Sequence, residues 1–237
     1  FADIENNLFE AEGYNNSFRF MKAKQAIDNI ESQIQLIDED IKAIRKALSD
    51  LEEQEQKNSG RVVHALDMFE ELQKEVTSDP DRYGSALPEI EKQIGNIQSE
   101  FSQFVTLNSS GDPVEAAEIL DTAENHIVAL KQIVERVPEI VTALQAKLPD
   151  QLEDLESGYR KLLESGYHFT ETDIESRFQQ LHASLKNNMA NVSALELDNA
   201  IYENEQIQEE IDALYHIFTR EIESQKVVKK LVKQLPG

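Results

Sequence analysis

FMKAKQAIDNIESQIQLIDEDIKAIRKALSDL, residues 20–51, carries apolar side chains at Phe20, Ala23, Ile27, Ile30, Ile34, Ile37, Ile41, Ile44, Leu48 and Leu51. Steps of three and four alternate without a miss, which keeps one helix face apolar and predicts a seam packed in a left-handed bundle. A second run repeats the pattern: Ala116, Leu120, Ala123, Ile127, Leu130, Val134, Val137, Val141, Leu144 and Leu148. A third and weaker one follows Leu197, Ala200, Asn204, Ile207, Ile211, Leu214 and Phe218. Ala23, Ala116 and Ala200 stand at intervals of roughly 90 residues, a period that marks an array of units, each burying its apolar face against its neighbours.

Shorter helices lie between the seams. Leu87, Ile90, Ile94, Ile97, Phe101 and Phe104 form one stripe after the breaker SDPDRYGS (78–85) and before NSSG (108–111). Asp112-Pro113-x-Glu115 then restarts a helix with an N-cap, a proline at the first position and an acid at the third. Ile174, Phe178, Leu181, Leu185, Met189 and Val192 form the next stripe, with capping boxes Thr172-x-x-Glu175 before it and Ser193-x-x-Glu196 after it. Helices near 18–77 and 113–165 would reach ~90 Å and ~80 Å at about 1.5 Å per residue, too long for one bundle each. The fold expected is therefore all-α, an elongated array of antiparallel three-helix bundles sharing long continuous helices.

Composition narrows the function classes. The 237 residues are 40% apolar and 29% charged, and contain no Cys, which excludes disulfides, thiolate metal sites and a cysteine nucleophile and suits a reducing, cytoplasmic setting. A formal charge of -23 repels nucleic-acid phosphate and anionic headgroups, so neither nucleic acid nor direct membrane contact is expected. No apolar run is long enough to span a bilayer. Because the chain starts at Phe1 without Met, it reads as a piece of something longer, with any anchor outside it.

Two places predict a change of bundle along the long helices. EEQEQKNSGR (52–61) has no apolar residue, so one seam should end there and another start at Val62, Leu66 and Phe69. Leu144, Leu148 and Leu152 are spaced four and four around Pro149, a stutter that rotates the apolar face. An interior proline kinks or breaks a helix at about 3 kcal/mol; a bent helix and a full break at Leu148-Pro149 both put a junction there. The domains expected are 1–50 as the remainder of a preceding bundle, repeats at 51–140 and 141–225, and 226–237 as the start of a following repeat.

Just after that junction the chain says LESGYRKLLESGY (155–167), Gly-Tyr twice. The seam Leu152, Leu155, Tyr159, Leu162 places Tyr159 at a core position, and Gly158 beside it would let a neighbouring backbone come close. Gly166, before Tyr167, reads as the left-handed glycine that stops the helix.

LPDQLEDLESGYRKLLESGYHF (148–169), with its proline, the glutamine two residues on and two spaced Gly-Tyr pairs, resembles the septation ring formation regulator EzrA family of Gram-positive bacteria. FRFMKAKQAIDNI (18–30) resembles the start of that family's corresponding helix. The resemblance implies spectrin-like repeats joined through shared helices, in a protein tethered by one N-terminal transmembrane helix with its rod in the cytoplasm. It also implies binding of the tubulin-like division protein FtsZ, restraint of FtsZ ring assembly away from midcell, and links between the division machinery, cell-wall synthesis and the septum. Neither a transmembrane segment nor the Gln-Asn-Arg string of the family's septal-localisation patch occurs in this chain.

Sites of chemistry are not evident. His64, His126, His168, His182 and His216 include no pair at helical ligand spacing, and the eight glycines form no phosphate loop, so no enzyme activity, cofactor or metal is expected. Glu196 to Asp212 hold seven acids and no base, followed by Arg220, Lys226, Lys229, Lys230 and Lys233. This acidic start and basic end complement a helix dipole. Read functionally, Glu203, Glu205, Glu209, Glu210 and Asp212 would form a docking strip for a basic partner segment, with Glu52, Glu53 and Glu55 a second acidic cluster. The functional expectation is a regulator that binds FtsZ; the alternative is a passive structural spacer whose binding sites lie elsewhere.

Overall fold

The structure, a computed structural model, describes residues 2–169 and 173–232. It is all-α, an array of helical bundles with no strand among the described residues. Among the described residues seven α-helices follow one another: α1 Ala2–Asn16, α2 Phe20–Ser78, α3 Leu87–Ser109, α4 Pro113–Thr142, α5 Leu148–Glu164, α6 Ile174–Ser193 and α7 Leu197–Val232. A 3₁₀ segment, Pro80–Ala86, precedes α3, and a π-helical turn, Ala143–Lys147, joins α4 to α5. The residues cluster into two compact units, Phe1–Arg61 with Thr106–Ala117 and Val62–Val105 with Glu118–Gly237.

In the first unit α1 lies against the opening turns of α2, where Asn7 Nδ2 donates to Gln33 Oε1 at 3.3 Å and Ala11, Ala23 and Ala26 are buried. Most of the first seam is nevertheless uncovered: Ile27, Ile34, Ile41, Ile44, Leu48 and Leu51 are exposed among the described residues, and Ile30 and Ile37 are half-buried. Further along α2, Asn58 is fully buried, accepts from Gln54 Nε2 at 2.9 Å and donates to the Pro113 carbonyl at 2.7 Å. Asp112 caps α4 through Oδ1, which accepts from Glu115 N at 3.1 Å.

In the second unit the last turns of α2 bury Ala65, Phe69, Leu72 and Val76, and α3 buries Ile90, Ile94, Ile97, Phe101 and Phe104. The Phe69 and Phe101 rings meet at 5.7 Å. From Leu120 onward every position named in the second seam is buried. Helices α5, α6 and α7 pack on one another pairwise. Two seam positions move by one residue. Ala65 is buried where Leu66 was expected, and Leu66 is 38% exposed; Asn188 is buried in place of Met189, also 38% exposed. Strict three-four alternation from Leu51 runs through 55, 58, 62, 65 and 69, so the seam of α2 keeps its phase across the polar stretch instead of restarting.

The chain stays helical through Pro149. The Leu148 N–H bonds to the Ala143 carbonyl, five residues back, and Lys147 and Leu148 keep helical angles. A π-turn adds one residue to a helical turn, which accommodates the four-four spacing: Leu144, Leu148, Leu152 and Leu155 are all buried. Helix boundaries correct two other expectations. Ser193 ends α6, its Oγ donating to the Met189 carbonyl, and does not cap α7. At the start of α6 the cap is Asp173, which accepts from Ser176 N at 3.0 Å; Thr172 lies outside the described residues.

Candidate functional site

The π-turn forms one wall of a groove of about 470 Å³ between α4 and α7. Ile140, Ala143, Leu148 and Ile201 contribute its apolar surface, while Glu135, Glu139 and Glu205 bring negative charge and Lys147 and Arg136, the latter paired with Asp198, bring positive charge. Asparagines fix the helices around it. Asn188 Nδ2, on α6, donates to the Ala200 carbonyl at 2.9 Å and to Asn204 Oδ1 at 3.0 Å, and Asn204 Nδ2 donates to the Ile140 carbonyl at 3.4 Å. A buried amide left without partners would cost about 1–3 kcal/mol, so this network penalises any slip of α7 along α4. Gln208 also lines the groove, and its Oε1 is buried without a hydrogen-bond partner among the described residues. The groove therefore offers apolar surface and three carboxylates against two cations, a combination suited to a short segment carrying apolar and basic residues.

The acidic strip of α7 does not converge on the groove. Only Glu205 lines it. Glu210 is not uncompensated, because it accepts from Arg177 Nε, and this hydrogen bond is the main cause of the raised pKa of the guanidinium. Asp212 accepts from Gln208 Nε2 at 3.0 Å and Glu209 from Gln206 Nε2 at 3.3 Å. Glu203 is half-buried. An α-helix turns about 100° per residue, which is why a dense run in sequence becomes a dispersed set in space.

Pro149 and the two Gly-Tyr pairs lie on α5 and its end. The half-buried Tyr159 ring stacks on Phe218 at 5.8 Å and meets Phe178 at 5.7 Å and Phe169 at 5.3 Å. Gly158 corrects the expectation of a close backbone approach, since a Cβ built there meets nothing within 4 Å. At Gly166, φ is 82°; its N–H bonds to the Leu163 carbonyl and the Tyr167 N–H to the Leu162 carbonyl, each at 3.0 Å. This is the paired bonding that closes a helix C-terminus. Lys229 Nζ sits 5.4 Å from the Tyr167 ring centre.

Two histidines pair with single carboxylates, His126 Nδ1 with Glu100 Oε1 at 2.7 Å and His182 Nε2 with Glu156 Oε1 at 2.8 Å. No group of three or more candidate metal ligands occurs among the described residues. No helix among them is long and apolar enough to cross a membrane.

The family model described as septation ring formation regulator, EzrA, matches residues 1–237. The chain belongs to the EzrA family. Curated relatives named septation ring formation regulator EzrA agree: one from Streptococcus sanguinis is 79% identical over 237 residues and one from Streptococcus gordonii 72%. A third, from Streptococcus pneumoniae, is 70% identical over 236 residues. Each alignment covers 100% of this chain and 41% of the relative. No solved structure matches the chain.

Sequence reasoning missed Asn58, Asn188, the π-turn and the Tyr83-Gly84 pair. Tyr83 is fully buried, and a Cβ on Gly84 would stand 2.9 Å from Val141 Cγ1 and 2.7 Å from Gln145 Nε2. A signal for Asn188 existed, because strict alternation after Leu185 arrives at 188 and not 189. None marked Gly84 beyond its place in a turn-rich string.

Proposed function

We propose that this EzrA-family chain is the cytoplasmic part of a cell-division regulator that binds FtsZ, restrains septal ring formation and connects the division machinery to wall synthesis. The observation that carries the reading is the family match along the whole of residues 1–237. The same reading includes spectrin-like repeats at 51–140 and 141–225, a membrane tether outside this chain and action at the division septum. Within it, the α4–α7 groove receives a short apolar and basic tail of FtsZ. Its apolar surface and Glu205 support that assignment.

Purified chain added to FtsZ sedimentation and light-scattering assays tests the activity, with reduced polymer mass expected. Absence of both co-sedimentation and inhibition would leave a passive spacer. Glu205→Lys with Ile201→Ser should weaken FtsZ binding while helicity is kept; reversing Glu209 and Asp212 to Lys should not, since neither lines the groove.

A further inference from the structure

We propose that the tip of the α1–α2 hairpin docks onto an anionic lipid surface. This goes beyond the FtsZ reading and does not depend on it. The tip is built on backbone strain. Phe18 has φ 59° in a helix-closing turn whose bonds run from Phe18 N to the Asn15 carbonyl at 3.0 Å and from Arg19 N to the Tyr14 carbonyl at 2.8 Å. Glycine holds the equivalent place at Gly111 and Gly166, because a side chain in the left-handed region costs energy. Leu195 is the other described non-glycine residue with positive φ, and its side chain is half-buried. Phe18, by contrast, is 80% exposed. Packing among the described residues does not offset its strain.

Its surroundings are chemically consistent. Phe20 is 60% and Met21 82% exposed, and the Phe18 and Phe20 rings meet edge to face at 5.9 Å. Between Glu12 and Asp28 the sequence holds Arg19, Lys22 and Lys24 and no acid. In a chain of formal charge -23 this is a local reversal of sign. Exposed charges farther away than a Debye length, about 8 Å at physiological ionic strength, are screened, so the local cations govern an approaching surface. A helical hairpin end that projects aromatic and thioether side chains among cations suits an interface where rings sit at the headgroup boundary and basic groups meet lipid phosphate. An acidic protein segment would be held best in a lined cleft, and the hollow along Phe18–Lys22 is a shallow surface one. The average charge of the chain is thus a poor guide to membrane contact at this tip.

The test uses the 237-residue chain, which has no Trp, so Phe18→Trp introduces a single reporter. Vesicles of phosphatidylglycerol mixed with phosphatidylcholine should shift its emission to the blue, and pure phosphatidylcholine vesicles should not. Phe9→Trp, exposed on α1 outside the tip, should stay unshifted. In co-sedimentation, Arg19→Glu with Lys22→Glu and Lys24→Glu should reduce binding on the order of 100-fold or more, the effect of losing about three basic contacts. Phe18→Gly should weaken binding roughly tenfold through loss of the inserted ring while raising the melting temperature, a combination that a purely structural role for Phe18 does not give. Wild-type chain remaining in the supernatant, equal binding by the charge-reversed variant, or equal shifts at positions 9 and 18 would each overturn the proposal. The first of these would also be the result if the tip served an acidic protein.

Discussion

The seams of α2 and α4 follow the same three-four rule, and they end up in opposite environments. Along α4, Ile127, Leu130, Val134 and Val137 are at most 1% exposed; along α2, Ile34, Ile44 and Leu48 are more than half exposed. Heptad spacing records which face of a helix requires a partner. Whether one is present depends on the rest of the chain, and α1, at fifteen residues, is too short to cover α2 beyond its first turns.

Paired truncations should separate the two seams most widely. Leu130→Ala removes a side chain that is 1% exposed and should cost about 2–5 kcal/mol, the range for buried large-to-small changes. Ile44→Ala, at a residue 60% exposed, should stay within about 0.5 kcal/mol. Chemical denaturation followed by helicity measures both, and equal losses would mean that the α2 seam is covered in solution.

Tyr159 lies between these extremes. Its ring has three aromatic neighbours but is only half-buried, so Tyr159→Ala should cost about 2–3 kcal/mol, below the 3–5 kcal/mol of a fully enclosed aromatic. An unchanged melting temperature would show that the ring leaves the cluster in solution. The phenol also titrates. Desolvation raises the pKa of Tyr83, Tyr159 and Tyr215, with neighbouring carboxylates adding to it. A raised folded-state pKa means that the stabilisation is complete below the ordinary phenol value of about 10 and is lost as pH climbs through the folded-state values. Melting temperature should therefore fall at strongly alkaline pH, and Tyr159→Phe should make that fall shallower.

The sequence disclosed most of the fold because helix periodicity is a property of neighbouring residues. Seams two and three, the Asp112 cap, and the uninterrupted α2 were all accessible that way. It disclosed much less of the groove. Lining residues from Glu135 to Gln208 come from α4, α5, α7 and the π-turn, and no local pattern states which turn of α7 faces which turn of α4. Asn188 is masked by Met189 next to it, which is the more apolar of the two yet the more exposed. The strip on α7 is legible as a run whose positions spread round the helix, so that a subset can face one groove, but nothing local says that the subset is Glu205.

The two Gly-Tyr copies give the smallest effects and the sharpest test, because one substitution should change sign between them. Gly158 is an interior helix position whose added Cβ would meet nothing within 4 Å, so Gly158→Ala removes the helix penalty of glycine and should stabilise by up to about 1 kcal/mol. Gly166 is equally open, but its φ of 82° lies in the left-handed region. There an alanine Cβ crowds the following carbonyl, and Gly166→Ala should destabilise by about 1–2 kcal/mol. Thermal melts of the two variants beside the wild type decide it. If Gly158→Ala also destabilises, the glycine serves a contact that forms only when something packs against α5, and the first Gly-Tyr pair becomes a docking feature instead of a tolerated weakness in the helix.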